Sequence, residues 1–402
     1  MKAPNRLLAE QGTTIFTVMS ALAERHGAIN LGQGFPDTDG PGAVVAAAAA
    51  ALGDTALGET RNQYAPMTGL PVLREAVAAA NRRFWGITVD PATEVVVTSG
   101  ATEALAASLM ALLDPGDEVV LLEPLYDTYL PMVRLLGAVP RLVRLTPPDW
   151  RLDPAALAAA FGPRTKLLLL NTPMNPTGKV FTAEELAIIA DLLHHHDAYA
   201  VCDEVYEHLV FPGARHLALM SLPGMRERCL RIGSAGKTFS LTGWKIGYVS
   251  APAPLAAVVA RAHQNLVFAS APHLQRAVAF GLGLEDGYFA ALGATLAAKC
   301  ARLSRGLEAA GFSVLAPRGG YFVVADAARL AGGEGDAAFC RRLTAEAGVA
   351  AIPVSAFQDG GPAGSLVRFA FCKRDAVLDE ACARLRRYFA RAGGIDAARA
   401  SA

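Results

Sequence analysis

The sequence predicts an α/β protein: a mostly parallel central sheet flanked by helices, followed by a smaller α+β domain. Three observations carry this. Through the middle of the 402-residue chain, short apolar runs alternate with amphipathic stretches. The apolar runs are near-continuous, the pattern of strands buried on both faces. Beyond about residue 285 the alternation gives way to a long helical stretch and strand-like segments closer together.

EVVVTSG (94–100) is a strand that turns directly into the alanine-rich helix ATEALAASLMALL. DEVVLLEP (117–124) follows a DPGD turn. TKLLLLNTP (165–173) precedes the helix TAEELAIIADLLHHH, where Thr182 and Glu185 have the spacing of a capping box. YAVCDEVY (199–206), CLRIGSAGK (229–237) and KIGYVSAP (245–252) complete the set. These runs end on polar residues, among them Ser99, Asn171, Asp203 and Ser234. Open α/β sheets bind ligands at that edge.

The C-terminal part begins with a helix over about 285–310 that leads into GFSVLAPRGGYFVVAD. A helix (335–347), the strands VAAIPVSAF and SLVRFAF, and a last helix (375–391) follow. The expected organisation is an irregular segment 1–45 packing with the small domain, a large domain 46–285, a small domain 286–392 and a frayed tail 393–402.

Lys+Arg and Asp+Glu number 37 each, so a nucleic-acid partner is not expected. Six scattered cysteines without a CxxC argue against a disulfide framework or zinc site and fit a reducing cytoplasm. The stretch MKAPNRLLAEQGTT lacks the apolar core of a signal peptide, and the apolar run 43–53 is too short to span a bilayer. A cytoplasmic protein without a membrane partner is expected.

The chemistry gathers around SAGKTFSLTGWKIGY (234–248), where Lys237 stands among small residues. That setting suits an amine meeting a flat ligand in a crowded pocket. Asp203 ends an apolar run; it either caps the following turn or faces a protonated ring nitrogen. Tyr206 lies three residues on. The polar turn 171–178 places Asn175 as a donor to a ring oxygen, unless it is only a rigid connector. Gly100, Ala101 and Thr102 open a helix after a strand, so their N–H groups can hold a phosphate. Tyr126 stacks on a ring or belongs to the core. Together these are the parts for holding pyridoxal 5′-phosphate.

In their order and spacing these stretches resemble the fold-type I, class I/II aminotransferases, nearly end to end. The similarity is greatest to the branch of kynurenine, glutamine and methionine aminotransferases and its bacterial relatives. It rests on INLGQGFPD (29–37), NQYAP (62–66), NTPMNPTGKVF (171–181), DEVYEHLVF (203–211), SAGKTFSLTGWKIGY (234–248) and VRFAF (367–371). The resemblance implies that Lys237 is the Schiff-base lysine and proton shuttle, and that Asp203 pairs with the pyridine nitrogen. Tyr206 and Asn175 would bond the phenolic oxygen, and Tyr126 would stack on the ring. Ala101, Thr102, Ser234 and Lys245 would hold the phosphate, with Tyr64 reaching the phosphate of a neighbouring subunit in a homodimer. Arg368 would fork the substrate carboxylate, helped by Asn175 and the Gly34 backbone, and Phe16 would wall the side-chain pocket. One departure is Phe268-Ala269, where the animal kynurenine enzymes carry Phe-His; its loss speaks against kynurenine as the physiological substrate.

The function implied is transfer of the α-amino group of an L-amino acid to a 2-oxo acid by a ping-pong mechanism. Aromatic surface at Phe16, Tyr126 and Phe268, with no second arginine placed by the motifs, points to neutral donors: methionine, glutamine, leucine or an aromatic amino acid. Arg25, Arg61 and any other arginine the motifs leave unplaced are the candidates for a second cation. Alternatives are a cysteine-conjugate β-lyase, an N-succinyl-diaminopimelate aminotransferase and, least favoured, a non-catalytic cofactor-binding regulator. Gly32-Gln33-Gly34 lacks the third glycine of a dinucleotide loop. His194, His195 and His196 face different directions on a helix end and suit its dipole better than a metal.

Overall fold

The computed structural model describes residues 2–53, 63–360 and 364–400. Its centre is a seven-stranded sheet in the order Val95–Thr98, Gly247–Ser250, Cys229–Ser234, Tyr199–Asp203, Thr165–Asn171, Glu118–Glu123, Val139–Arg144. All neighbours are parallel except Gly247–Ser250, which runs antiparallel to both strands beside it. The apolar runs are continuous because both faces are covered. Leu167 and Leu169 enter one core and Leu168 and Leu170 the other, as the two-residue period of a strand demands.

Helices Gly100–Leu112 and Ala253–Leu266 pack together against one face. Pro71–Trp85, Pro272–Leu282 and Gly42–Gly53 pack together on the other. The capping box expected at the start of Ala183–His195 is formed: Glu185 N donates to Thr182 Oγ1 at 3.2 Å and Thr182 N to Glu185 Oε2 at 3.0 Å.

The C-terminal part holds an antiparallel sheet in the order Ile352–Pro353, Leu366–Ala370, Phe322–Asp326, Ser313–Leu315. Helices Asp286–Ala309 and Asp375–Ala400 pack against each other beside it. The last helix continues past 391, where sequence reading ended it; the Gly393–Gly394 pair weakens a helix by about 1 kcal/mol per glycine without forcing a stop. Near the N-terminus, Ile29–Asn30 pairs in parallel with Val349–Ala350, which brings residues 31–35 to the same edge as Arg368. Among the described residues no helix is long and apolar enough to cross a membrane.

Candidate active site

Register aligns the polar strand ends. Asn171 pairs with Asp203, and Ser234 with Gly247, which also faces Thr98. The loops leaving this edge and the C-terminal sheet enclose a cleft of about 310 Å³. Phe16, Gly34, Ala101, Thr102, Tyr126, Asn175, Asp203, Tyr206, Lys237, Lys245 and Arg368 all line it. Ser234 is buried at the end of its strand, three residues before Lys237.

Asp203 sits at the floor. Tyr129 donates its hydroxyl to Asp203 Oδ2 at 2.5 Å, while Oδ1 is buried without a hydrogen-bond partner. Burial pushes the Asp203 carboxyl up; the Tyr129 bond, the Val205 N–H and the charge of Lys237 oppose this. The backbone around Asp203 is fixed by Asn171, whose Nδ2 donates to Asp203 O at 2.9 Å and whose Oδ1 accepts from Asn175 N at 2.7 Å.

Lys237 lies partly buried on the turn after Cys229–Ser234. Burial pushes its amine down; Lys245 and Arg368 add to this, and Cys372 and Asp203 oppose it. Tyr321 donates to Lys237 O at 2.8 Å and packs edge-on against Tyr206. Burial pushes the Tyr206 phenol up, so it is a hydroxyl donor.

The phosphate side is a backbone cradle. A Cβ on Gly247 would lie 2.6 Å from Gly100 C and 2.7 Å from Ala101 N, so only glycine lets the strand approach the helix N-terminus. Gly100, at φ +80°, faces the Lys245 amine. The N-terminus of the helix and a lysine converge there, as an anion requires.

Arg368, fully buried in strand Leu366–Ala370, donates to Asn175 Oδ1 at 2.8 Å and Gly32 O at 2.5 Å. Its Nε has no partner. The Phe322 ring lies 3.8 Å from the guanidinium carbon, with Phe357 and Phe16 at 4.9 and 5.0 Å. Phe322 reaches this position because Gly34 has no side chain; a Cβ there would come within 2.2 Å of the ring. Burial lowers Arg368 to about 10, so it stays charged at neutral pH.

Sequence reasoning missed Tyr129, Tyr321, Phe322 and Phe35. Tyr129 lies three residues after Tyr126 in EPLYDTYL, and nothing in the sequence shows which of the two tyrosines turns to Asp203. Phe268, expected as pocket surface, is displaced from it. It follows the end of helix Ala253–Leu266 at φ +72° and packs edge-on against Tyr64 at 5.2 Å, both rings exposed. Arg25 is exposed and does not line the cleft; Arg61 lies outside the described residues.

The donor set fits pyridoxal phosphate. The orphaned Asp203 Oδ1 lacks a cationic N–H, the Gly100–Lys245 cradle suits a phosphate, and an amine of lowered pKa stands between them. A carboxylate, a lysine and an anion cradle in this arrangement define an aminotransferase-type site. Comparison with known proteins agrees: the family of class I and II aminotransferases matches residues 26–385, and the chain belongs to it. The chain is 48% identical to the probable N-succinyldiaminopimelate aminotransferase DapC of Mycobacterium tuberculosis, over 94% of this chain and 96% of that one. It is 40% identical to the methionine aminotransferase of Escherichia coli (95% and 98%) and 38% identical to kynurenine–oxoglutarate transaminase 3 of Mus musculus (92% and 86%). The solved N-succinyldiaminopimelate aminotransferase from Mycobacterium tuberculosis superposes with a TM-score of 0.92, covering 96% of this chain and all of that one. The protein is a pyridoxal-phosphate-dependent aminotransferase of fold type I.

Proposed function

We propose that the enzyme transfers the α-amino group of a neutral L-amino acid, such as methionine, glutamine, leucine or phenylalanine, to a 2-oxo acid, acting as a cytoplasmic homodimer. The cofactor supplies an aldehyde for the amine and a protonated ring that accepts electrons. Asp203 Oδ1 would hold the ring N–H, Tyr206 and Asn175 would reach the phenolic oxygen, and the 100–102 backbone with Ser234 and Lys245 would hold the phosphate. Arg368 grips the α-carboxylate and orients the Cα–H toward Lys237. Lys237, lowered by burial, takes the Cα proton and returns it on the other side of the exchange.

The observation that carries the donor class is that Arg368 is the one guanidinium among the described residues lining the cleft. Phe16, Phe35, Leu105, Tyr126 and Phe322 form much of the rest. Asp127 stands near Arg368, whose charge opposes the upward push of burial on its carboxyl, and offers no cation to a second carboxylate. A second carboxylate on the donor would be poorly paired in these surroundings, at a cost of several kcal/mol.

The 48% identity with the M. tuberculosis protein favours a second reading, N-succinyl-diaminopimelate as donor. A panel of donors and 2-oxo acids on the purified enzyme decides. Methionine or phenylalanine should exceed aspartate in kcat/KM by about 100-fold. N-succinyl-diaminopimelate exceeding every neutral donor overturns the neutral reading in favour of the second. Pyruvate and ammonia from cysteine conjugates without any acceptor would mark a β-lyase.

A further inference from the structure

Behind the cleft, on the opposite side of the central sheet, lies a buried charged cluster with no part in the chemistry above. Arg231, 2% exposed, stands on strand Cys229–Ser234, which leads to Lys237. Its Nε donates to Glu204 Oε2 at 2.6 Å and its Nη1 to Asn81 Oδ1 at 2.7 Å; its Nη2 meets Glu207 Oε2 as an ion pair without hydrogen-bond geometry. Glu204 and Glu207 are 0% and 3% exposed. His216 Nε2 shares Glu204 Oε2 at 3.1 Å, and the Trp85 ring lies 5.5 Å from the guanidinium carbon. Asn81 in turn donates to Ser250 Oγ at 2.9 Å, on the antiparallel strand.

The geometry of the 203–209 turn explains the cluster's reach. Glu204 N bonds Ile232 O, Glu207 N bonds Glu204 O, and Leu209 N bonds Tyr206 O. In such a turn residues three apart share a side. Asp203 and Tyr206 face the cleft, while Glu204 and Glu207 face Arg231. Burying two carboxylates against one guanidinium is not an efficient route to stability, since apolar packing serves as well or better. What a planar guanidinium provides instead is fixed donor directions. It fixes Glu204 by a directed bond and holds Glu207 by charge, and so constrains the backbone between them.

We propose that Arg231, through Glu204 and Glu207, is the positioning residue for Asp203 and Tyr206, locking the turn that carries them from the far side of the sheet. This rests on the roles given above to Asp203 and Tyr206. Arg368 makes no contact with the cluster; it is held at Asn175 and Gly32, and its one link to the turn runs through Asn175 and Asn171 to Asp203 O, so carboxylate binding should respond much less than cofactor binding.

The test compares Arg231→Lys, Arg231→Met and Glu207→Gln with the wild type and with Asp203→Asn. The dissociation constant of pyridoxal phosphate is read by fluorescence titration of the cofactor-free protein; kcat, donor KM and melting temperature are measured alongside. Arg231→Lys keeps the charge and loses the fork. It should weaken cofactor binding and lower kcat, each about tenfold, with donor KM within about twofold. Glu207→Gln should act in the same direction, and Arg231→Met more strongly. If Arg231→Met does not fold, the two conservative variants decide. Wild-type cofactor affinity and kcat in both, whatever their melting temperatures, overturn the positioning role and leave the cluster as packing. Undiminished turnover in Asp203→Asn overturns the underlying assignment, and this proposal with it.

Discussion

The Tyr129 hydroxyl and one oxygen of Asp203 lie 2.5 Å apart, across 74 residues of sequence, and the other oxygen is left free. The bond stabilises the carboxylate against the burial that favours its neutral form. Tyr129→Phe should therefore raise the Asp203 pKa. The acid limb of the kcat/KM profile should move to higher pH, with about a tenfold loss at pH 7, the worth of one hydrogen bond to a charged group. A profile superimposable on the wild type would show that the bond does not tune Asp203.

Asp203→Asn should cost at least about 100-fold in kcat, as removal of one preorganised electrostatic partner does. Its effect on the cofactor-free protein should be the reverse. The folded pKa of Asp203 lies above the ordinary 3.8, so the folded state holds its proton more tightly than the unfolded state. The stability this contributes is present at low pH and is lost as pH rises from the ordinary value through the folded one. Urea melts of cofactor-free protein should show the Asn variant gaining on wild type between pH 4 and pH 8. An equal loss at both pH values would contradict the sign.

Lys237→Ala should abolish turnover. Borohydride treatment of the loaded enzyme should fix the cofactor on the peptide containing Lys237, and labelling of Lys245 or Lys179 instead would reassign the site.

Arg368→Lys keeps a charge but cannot bond Asn175 and Gly32 and still present two parallel N–H groups to a carboxylate. Donor KM should rise about 100-fold, with a smaller change in kcat. A variant saturating at wild-type donor concentration would move the carboxylate site elsewhere.

Tyr64 is 83% exposed and outside the cleft of its own chain. If it completes the phosphate site of a second subunit, Tyr64→Ala and Lys237→Ala chains, each weak or inactive alone, should regain activity when co-assembled. One of the two sites in such a hybrid has an intact Lys237 and Tyr64 of the partner subunit. Absence of complementation in a verified hybrid dimer would place Tyr64 outside the chemistry.

The site was legible where a polar residue interrupts an apolar run, because burial there demands a purpose: Asp203, Asn171 and Ser234 stand out for that reason. Ala101 and Thr102 were legible through the strand-to-helix junction. Tyr129 was not, because nothing in YDTYLP signals its partner 74 residues away. Phe322 was hidden for a different reason: its stacking on Arg368 depends on the missing side chain of Gly34, a relation between three distant segments. The reversed direction of Gly247–Ser250 also escaped notice, since an antiparallel strand buried on both faces has the same composition as its parallel neighbours. Phe268 was misplaced because φ +72° at a helix end turns its ring outward, and nothing in VFASA announces that conformation.

The bond from Arg368 to Gly32 joins residues 336 apart, and Lys373 reaches Phe35 over 338. The seven-stranded sheet is complete in sequence by Ser250. During synthesis at about 5–20 residues per second, that sheet has the time and the residues to form while more than a hundred residues remain to be made. The carboxylate-binding half of the cleft has neither until nearly the whole chain has emerged. A nascent chain that ends short of Arg368 therefore carries Lys237 and Asp203 without the carboxylate-binding half of the cleft.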